Sequence, residues 1–147
     1  MERNHLTPSQ KAFDILKKFE GCRLKAYSDL GGIWTIGYGA TGPSIKANTI
    51  WTQEQAETDL LCRIEIFGRI ISYHVKVSLT QNQFDALISL TYNIGAEAFR
   101  KSTLMRFLNE KNYLAAADEF PKWNKVKGRI VEGLTLRRRE EMRLFLS

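Results

Sequence analysis

Phe19-Glu20-Gly21-Cys22-Arg23-Leu24-Lys25-Ala26-Tyr27-Ser28-Asp29, followed after Leu30-Gly31 by Gly32-Ile33-Trp34-Thr35-Ile36-Gly37-Tyr38-Gly39, is where the texture of the chain changes. Before it, Phe13, Ile15, Leu16 and Phe19 recur at helical spacing. The helix is announced by Thr7-Pro8-Ser9-Gln10, with Thr7 as N-cap, Pro8 at the first helical position and Gln10 closing a capping box. Gly21 suits the left-handed position that stops a helix, which puts Glu20 at the helix's C-terminal edge. Beyond it, Leu24, Ala26, Ile33, Thr35, Ile36 and Tyr38 read as strand, broken at Ser28-Asp29-Leu30-Gly31-Gly32 by residues with hairpin-turn chemistry. Gly37 and Gly39 flank Tyr38. Glycines in a strand mark close approach by another backbone or by a ligand, so Tyr38 is a candidate binding residue.

Working outward, Thr52-Gln53-Glu54-Gln55 is a second capping box, opening a long helix through Ala56, Leu60, Ile64, Phe67 and Ile71 to about Tyr73. A third opens at Thr80-Gln81-Asn82-Gln83, with Phe84, Leu87, Ile88 and Thr91 on one face and Gly95 to end it. Shorter helices are expected over 102–109 and 113–120. A loop over 125–129 precedes a last basic helix over 134–146. A small β-element near the N-terminus of an otherwise helical chain is an α+β class.

The chain has 147 residues, 44% of them hydrophobic and 26% charged, enough for a real core and ordinary for a globular protein. Its net charge of +6 draws it to polyanions: nucleic acid, anionic membrane surfaces or acidic wall polymers. No helix-turn-helix, zinc or RNA-recognition signature accompanies the charge, so a nucleic-acid partner is not expected. Cys22 and Cys62 are too few and too far apart for a disulfide framework and are read as free thiols. His5 and His74 stand alone, so no metal and no cofactor is expected. Residues 1–10 carry no apolar core of a signal peptide, and no run reaches the ~18 apolar residues of a membrane span. A product held in the cytoplasm follows as an expectation.

The chemistry concentrates in the opening stretch. Cleaving a glycosidic bond needs one carboxylic acid that still holds its proton near neutral pH and a second that is ionised. Glu20 lies among apolar neighbours at a helix C-terminus, which favours the protonated form; Asp29 in a turn stays hydrated and charged. Thr35 can hold an attacking water together with Asp29. Carboxylates at helix ends and in turns are common, so this arrangement alone is weak evidence.

The order of motifs is more specific. Glu20, eight residues, Asp29, five residues, Thr35, then Ile36-Gly37-Tyr38-Gly39 resembles the signature of the phage-type lysozyme family. The resemblance continues through Thr80-Gln81-Asn82-Gln83-Phe84-Asp85-Ala86-Leu87, Tyr92-Asn93-Ile94-Gly95, Trp123-Asn124, Gly133-Leu134 and Arg137-Arg138-Arg139-Glu140. It implies one lysozyme domain, residues 1–147: a β-lobe over about 20–55, a connecting helix over about 53–73, and a helical lobe made of 1–19 plus 74–147. It further implies a cleft for the peptidoglycan glycan strand, cut at the β-1,4 bond after N-acetylmuramic acid. Glu20 matches the general acid, Asp29 the carboxylate that activates water, and Thr35 the third member. Tyr92 and Asn93 match cleft-facing positions, and Arg138 falls near the position whose guanidinium approaches the acid, with Arg137 and Arg139 competing. Inversion at the anomeric carbon and release from the host cytoplasm by a separate membrane-permeabilising protein are likewise implied, and a monomer is the default expectation. Ala40 departs from the pattern, where many relatives carry His; a lost local contact is expected there, not lost chemistry.

Two rivals remain. A lytic transglycosylase cuts the same bond without water and needs the acid but neither Asp29 nor Thr35. A membrane-active protein is the other: residues 122–143 carry eight lysines and arginines interleaved with Leu134, Leu136 and Met142, the pattern of a basic amphipathic helix aimed at an anionic outer-membrane or wall surface.

Overall fold

The computed structural model describes residues 5–147. The order is α1 (Gln10–Glu20), β1 (Arg23–Ser28), β2 (Trp34–Gly37), α2 (Gln53–His74), α3 (Gln81–Ile94), α4 (Ala96–Arg100), α5 (Thr103–Asn109), α6 (Tyr113–Glu119), a 3-10 turn (Phe120–Lys122), β3 (Lys125–Val126), β4 (Arg129–Ile130) and α7 (Glu132–Leu146). The class is α+β and mostly helical, as expected.

Helix α3 is the hub. Its residues Phe84 through Thr91 are all buried, because α1, α2, α4 and α7 pack around it. A helix covered on every side must satisfy its polar groups internally. Asp85 does so through Ser9, and Ser89 through Glu141 and Arg137. Both long helices begin with complete capping boxes, Thr52 with Gln55 and Thr80 with Gln83. The buried stripe of α2 is Ala56, Leu60, Ile64, Gly68 and Ile71, each large member worth about 1.5–3 kcal/mol of burial. Gly68 fits that stripe because a Cβ there would stand 3.2 Å from the Phe84 ring, and the expected Phe67 packs half-buried beside it, 5.4 Å from the Tyr92 ring.

The start of α1 corrects the sequence expectation. Its N-cap is Ser9, not Thr7, and Gln10 closes no capping box. The cause is tertiary: Asp85 on α3 accepts from both the backbone N–H (3.1 Å) and the hydroxyl of Ser9, fixing the helix entry there. Gly21 at the other end has φ 65 and ψ 166, an extended positive-φ conformation that sends the chain straight into β1 rather than the expected helical left-handed stop.

Strands β1 and β2 pair antiparallel, Tyr27 opposite Thr35 and Ser28 opposite Trp34. This hairpin carries its own small buried cluster of Ala26, Ile36, Ala40 and Ile45, closed by Trp51. Ala40 is 1% exposed within it and exchanges two backbone hydrogen bonds with Ile36, so a small apolar residue fits the site. Helix α4, which follows Gly95 directly, and the two-residue strands β3 and β4, turned by Lys127-Gly128, were not anticipated.

Helix α7 departs from the amphipathic pattern expected of it at two of its four arginines. Its buried face is Arg137, Arg138, Glu141 and Phe145, so two of its arginines are structural and lie inside the molecule. Only Arg139 and Arg143 of that helix's arginines are exposed. No helix of the described residues is long and apolar enough to cross a membrane, and no group of three His, Cys, Asp or Glu among them is placed to hold a metal. Both cysteines are free, Cys22 half-buried and Cys62 exposed.

Candidate active site

Glu20 ends α1 with its side chain 19% exposed, between α7 and the chain that leaves β2. Oε1 accepts from Arg137 Nη1 at 2.6 Å. Oε2 faces Gly39, where a Cβ would stand only 3.7 Å away. The guanidinium on Glu20 thus belongs to Arg137, not to the expected Arg138. The two are adjacent on α7 and so project in different directions. Arg138 reaches Trp123 O (2.9 Å), Glu141 and Asn93 Oδ1 instead.

Asp29 sits exposed at the hairpin tip. Its Oδ1 accepts from the N–H of Gly31 (2.8 Å) and of Ile33 (2.9 Å), a side chain folded back over its own turn. Oδ2 takes no hydrogen bond from the described residues and is the oxygen left for a ligand. Thr35, 5% exposed, donates its hydroxyl to Ile33 O at 3.0 Å. Ile33 therefore anchors both side chains, through its N–H and its C=O. With its proton committed, the Thr35 oxygen presents only lone pairs to a third party. Thr35 and Tyr27 oppose one another and so share a sheet face. The guanidinium of Arg23 lies 4.5 Å from the centre of the Tyr27 ring.

Tyr38 does not fill the binding role expected of it. It is 3% exposed, its hydroxyl accepts from Gln53 Nε2 (3.0 Å), and its carbonyl accepts from the Tyr92 hydroxyl (2.5 Å). Burial pushes the Tyr38 phenol up. Tyr92 is itself half-buried, and burial, only partly opposed by the nearby Arg63 cation, pushes its phenol up to about 12. It works as a neutral donor that pins the segment beside Glu20. Arg63 adds a second pin, Nη1 to Gly39 O at 3.3 Å. Asn93 is exposed and has its oxygen on Arg138, which leaves its amide nitrogen to donate.

Arg137, Glu141, Ser89 and Gln53 carry much of the surrounding geometry. The i, i+4 spacing of Arg137 and Glu141 was a signal that they share a helix face. That this face points inward is decided by α3. A cavity of about 520 Å³ lies elsewhere, between residues 5–8 and the Glu65, Arg69 and Tyr73 side of α2, and involves none of Glu20, Asp29 or Thr35.

Comparison with known proteins adds a lineage to this geometry. The family model described as phage lysozyme matches residues 17–141. The endolysin of Salmonella phage P22 is 48% identical over 143 residues, 95% of this chain and 97% of that protein. The endolysin of Bacillus phage PZA is 44% identical over 141 residues, 95% of this chain but 55% of that protein. The chain spans about half the length of the Bacillus phage relatives it matches. Among solved structures, the endolysin from Escherichia coli O157:H7 phage FAHEc1 superposes with a TM-score of 0.89 at 41% identity, over 99% of this chain and 97% of that one.

Proposed function

The chain belongs to the phage lysozyme family, and from that premise we propose that it is an endolysin hydrolysing the β-1,4 bond after N-acetylmuramic acid in peptidoglycan. It acts as a monomer on the wall after release from the host cytoplasm. We read it as one domain in which the hairpin element and the helical body, joined by α2, border the substrate.

In this reading Glu20 gives its proton to the leaving oxygen. Oε1 is occupied as an acceptor by Arg137, so the proton resides on Oε2, toward Gly39, where the lack of a side chain leaves room for a sugar. A water donates one hydrogen to Asp29 Oδ2 and the other to Thr35 Oγ1, and one of its two lone pairs attacks the anomeric carbon from the opposite face. Asp29 takes up the proton released, and configuration inverts. Asn93 donates its amide N–H to the substrate. The observation that carries the reading is the hydrogen-bond pattern around Ile33, which leaves Asp29 and Thr35 both as acceptors toward water.

A turbidity assay on outer-membrane-stripped cells tests it. Glu20→Gln abolishes lysis with the fold intact, and Asp29→Ala and Thr35→Ala each lose about 10²-fold or more, the scale of a positioned proton acceptor. Normal turnover by Glu20→Gln sinks the reading. Mass spectrometry of the products separates hydrolysis from transglycosylation: reducing ends are expected, and anhydro-muramic ends exclude the water-dependent step.

A further inference from the structure

We propose that Glu141 is a positioning residue for Glu20, acting through Arg137. The proposal rests on the reading of Glu20 as proton donor, and the experiment below separates the two.

Glu141 is completely buried. An isolated carboxylate in such a place is costly, and only close cations and donors make it tenable. Its Oε2 accepts from Arg137 Nε (3.1 Å) and from the Ser89 hydroxyl (2.5 Å), and its Oε1 accepts from Arg138 Nη1. Arg137 is 3% exposed and has each nitrogen committed: Nε to Glu141, Nη2 to Ser89 O at 2.9 Å, Nη1 to Glu20 at 2.6 Å. Because the guanidinium is planar, fixing Nε and Nη2 fixes the direction of Nη1. Glu141 and Ser89 therefore choose which edge of Arg137 meets Glu20.

Charge follows the same geometry. Arg137 and Arg138 face Glu20 and Glu141, a balanced set of two cations and two anions while Glu20 is ionised. Protonating Glu20 leaves one positive charge in excess. Without Glu141 the excess is two, a stronger opposition to the proton the reaction needs. Around Glu20, α7 supplies Arg137 in contact and Arg138 at longer range, α3 supplies Tyr92, neutral across the working range, and α2 supplies Arg63 on the Gly39 carbonyl, whose charge is matched by Asp59 at 3.0 Å. The segment after β2 presents the uncharged Gly39. Glu141 is the anion that offsets the two arginines when Glu20 carries its proton.

The test is the pH dependence of lysis, with the Glu20 carboxyl followed independently by carbon NMR titration. In Glu141→Gln the alkaline limb of activity and the Glu20 titration both move to lower pH by about one unit, the effect of one uncompensated nearby charge. The paired variant Glu141→Gln/Arg138→Gln removes one charge of each sign, and both midpoints return to within about 0.3 unit of wild type. A titration that does not move in Glu141→Gln overturns the proposal. If that variant fails to fold, a paired variant shifted by a full unit overturns it as well. A titration that moves while the activity limb stays put upholds Glu141 and refutes Glu20 as the proton donor.

Discussion

Arg137 Nη1 meets Glu20 Oε1 at 2.6 Å across 117 positions of sequence, joining the last helix to the end of the first. The same guanidinium serves Glu141 and the Ser89 carbonyl, so its loss affects more than one bond. Arg137→Met leaves the buried Glu141 short of a cation and costs about 3–5 kcal/mol, the usual range for breaking a buried pair from one side. Arg137→Lys recovers only part of this, because one ammonium cannot reach three separated acceptors in one plane. Urea unfolding of the two variants beside wild type measures both; equal stability of Arg137→Lys and wild type argues against the planar clamp.

Asp85 ties the N-terminus of α1 to α3. It accepts from Ser9 N (3.1 Å), the Ser9 hydroxyl and Gln81 Nε2 (3.0 Å) while fully buried. Asp85→Ala strands these donors and lowers stability by about 1–3 kcal/mol. Ser9→Ala removes the cap and one of the same bonds, at about 1 kcal/mol. Because they share a bond, the double variant loses less than the sum. Additive losses in denaturant unfolding rule out the shared bond.

Gly37 occupies φ 64 with a Cβ position 2.9 Å from the Trp51 ring. Gly37→Ala meets both a left-handed backbone penalty and overpacking, together about 2–4 kcal/mol. The near-ultraviolet circular dichroism of Trp51 should change with it. Gly128, also at positive φ but with nothing within 4 Å, loses only the backbone part on substitution by alanine. Equal losses at the two sites would falsify the contact with Trp51.

Lys17 Nζ lies 2.6 Å from Glu57 Oε1, a half-exposed bridge from α1 to α2. The hydrogen bond raises the Lys17 ammonium above its usual 10.5 and lowers the Glu57 carboxyl below its usual 4.5. A depressed carboxyl contributes above its unfolded value and loses that contribution as pH falls through the folded one. A raised ammonium contributes below its unfolded value and loses it as pH rises through the folded one. The advantage of wild type over Glu57→Gln is therefore present between roughly pH 5 and 10 and vanishes at both ends. Salt screens it. Melting temperatures of the pair across pH, at low and high salt, read this out; an advantage that persists at pH 2 contradicts it.

Much of this was legible before the fold was known. The capping boxes at Thr52 and Thr80 and the hairpin turn at Asp29 are local signals, each written in residues that touch one another within a turn. The Ser9 cap escaped because its decisive partner, Asp85, lies 76 positions away. Tyr38 was read as ligand-facing from its glycine neighbours, yet the backbone they admit is pinned by Tyr92 from α3 and by Arg63 from α2. The resemblance points to Arg138 beside the acid, with Arg137 and Arg139 competing, because nothing near them in the chain shows that Glu20, Ser89 and Asn93 wait inside or which arginine meets which.

Taken alone, the order of residues determined where α2 and α3 begin, where the hairpin turns and which acid stands at the end of α1, since those depend on backbone and side-chain groups a few positions apart. Only the packed molecule decided which arginine grips that acid and which tyrosine is buried. It also decided which carboxylate pays for two cations in the interior. Those choices depend on which faces of distant helices meet, and on the rule that a charge removed from water must find its partner there.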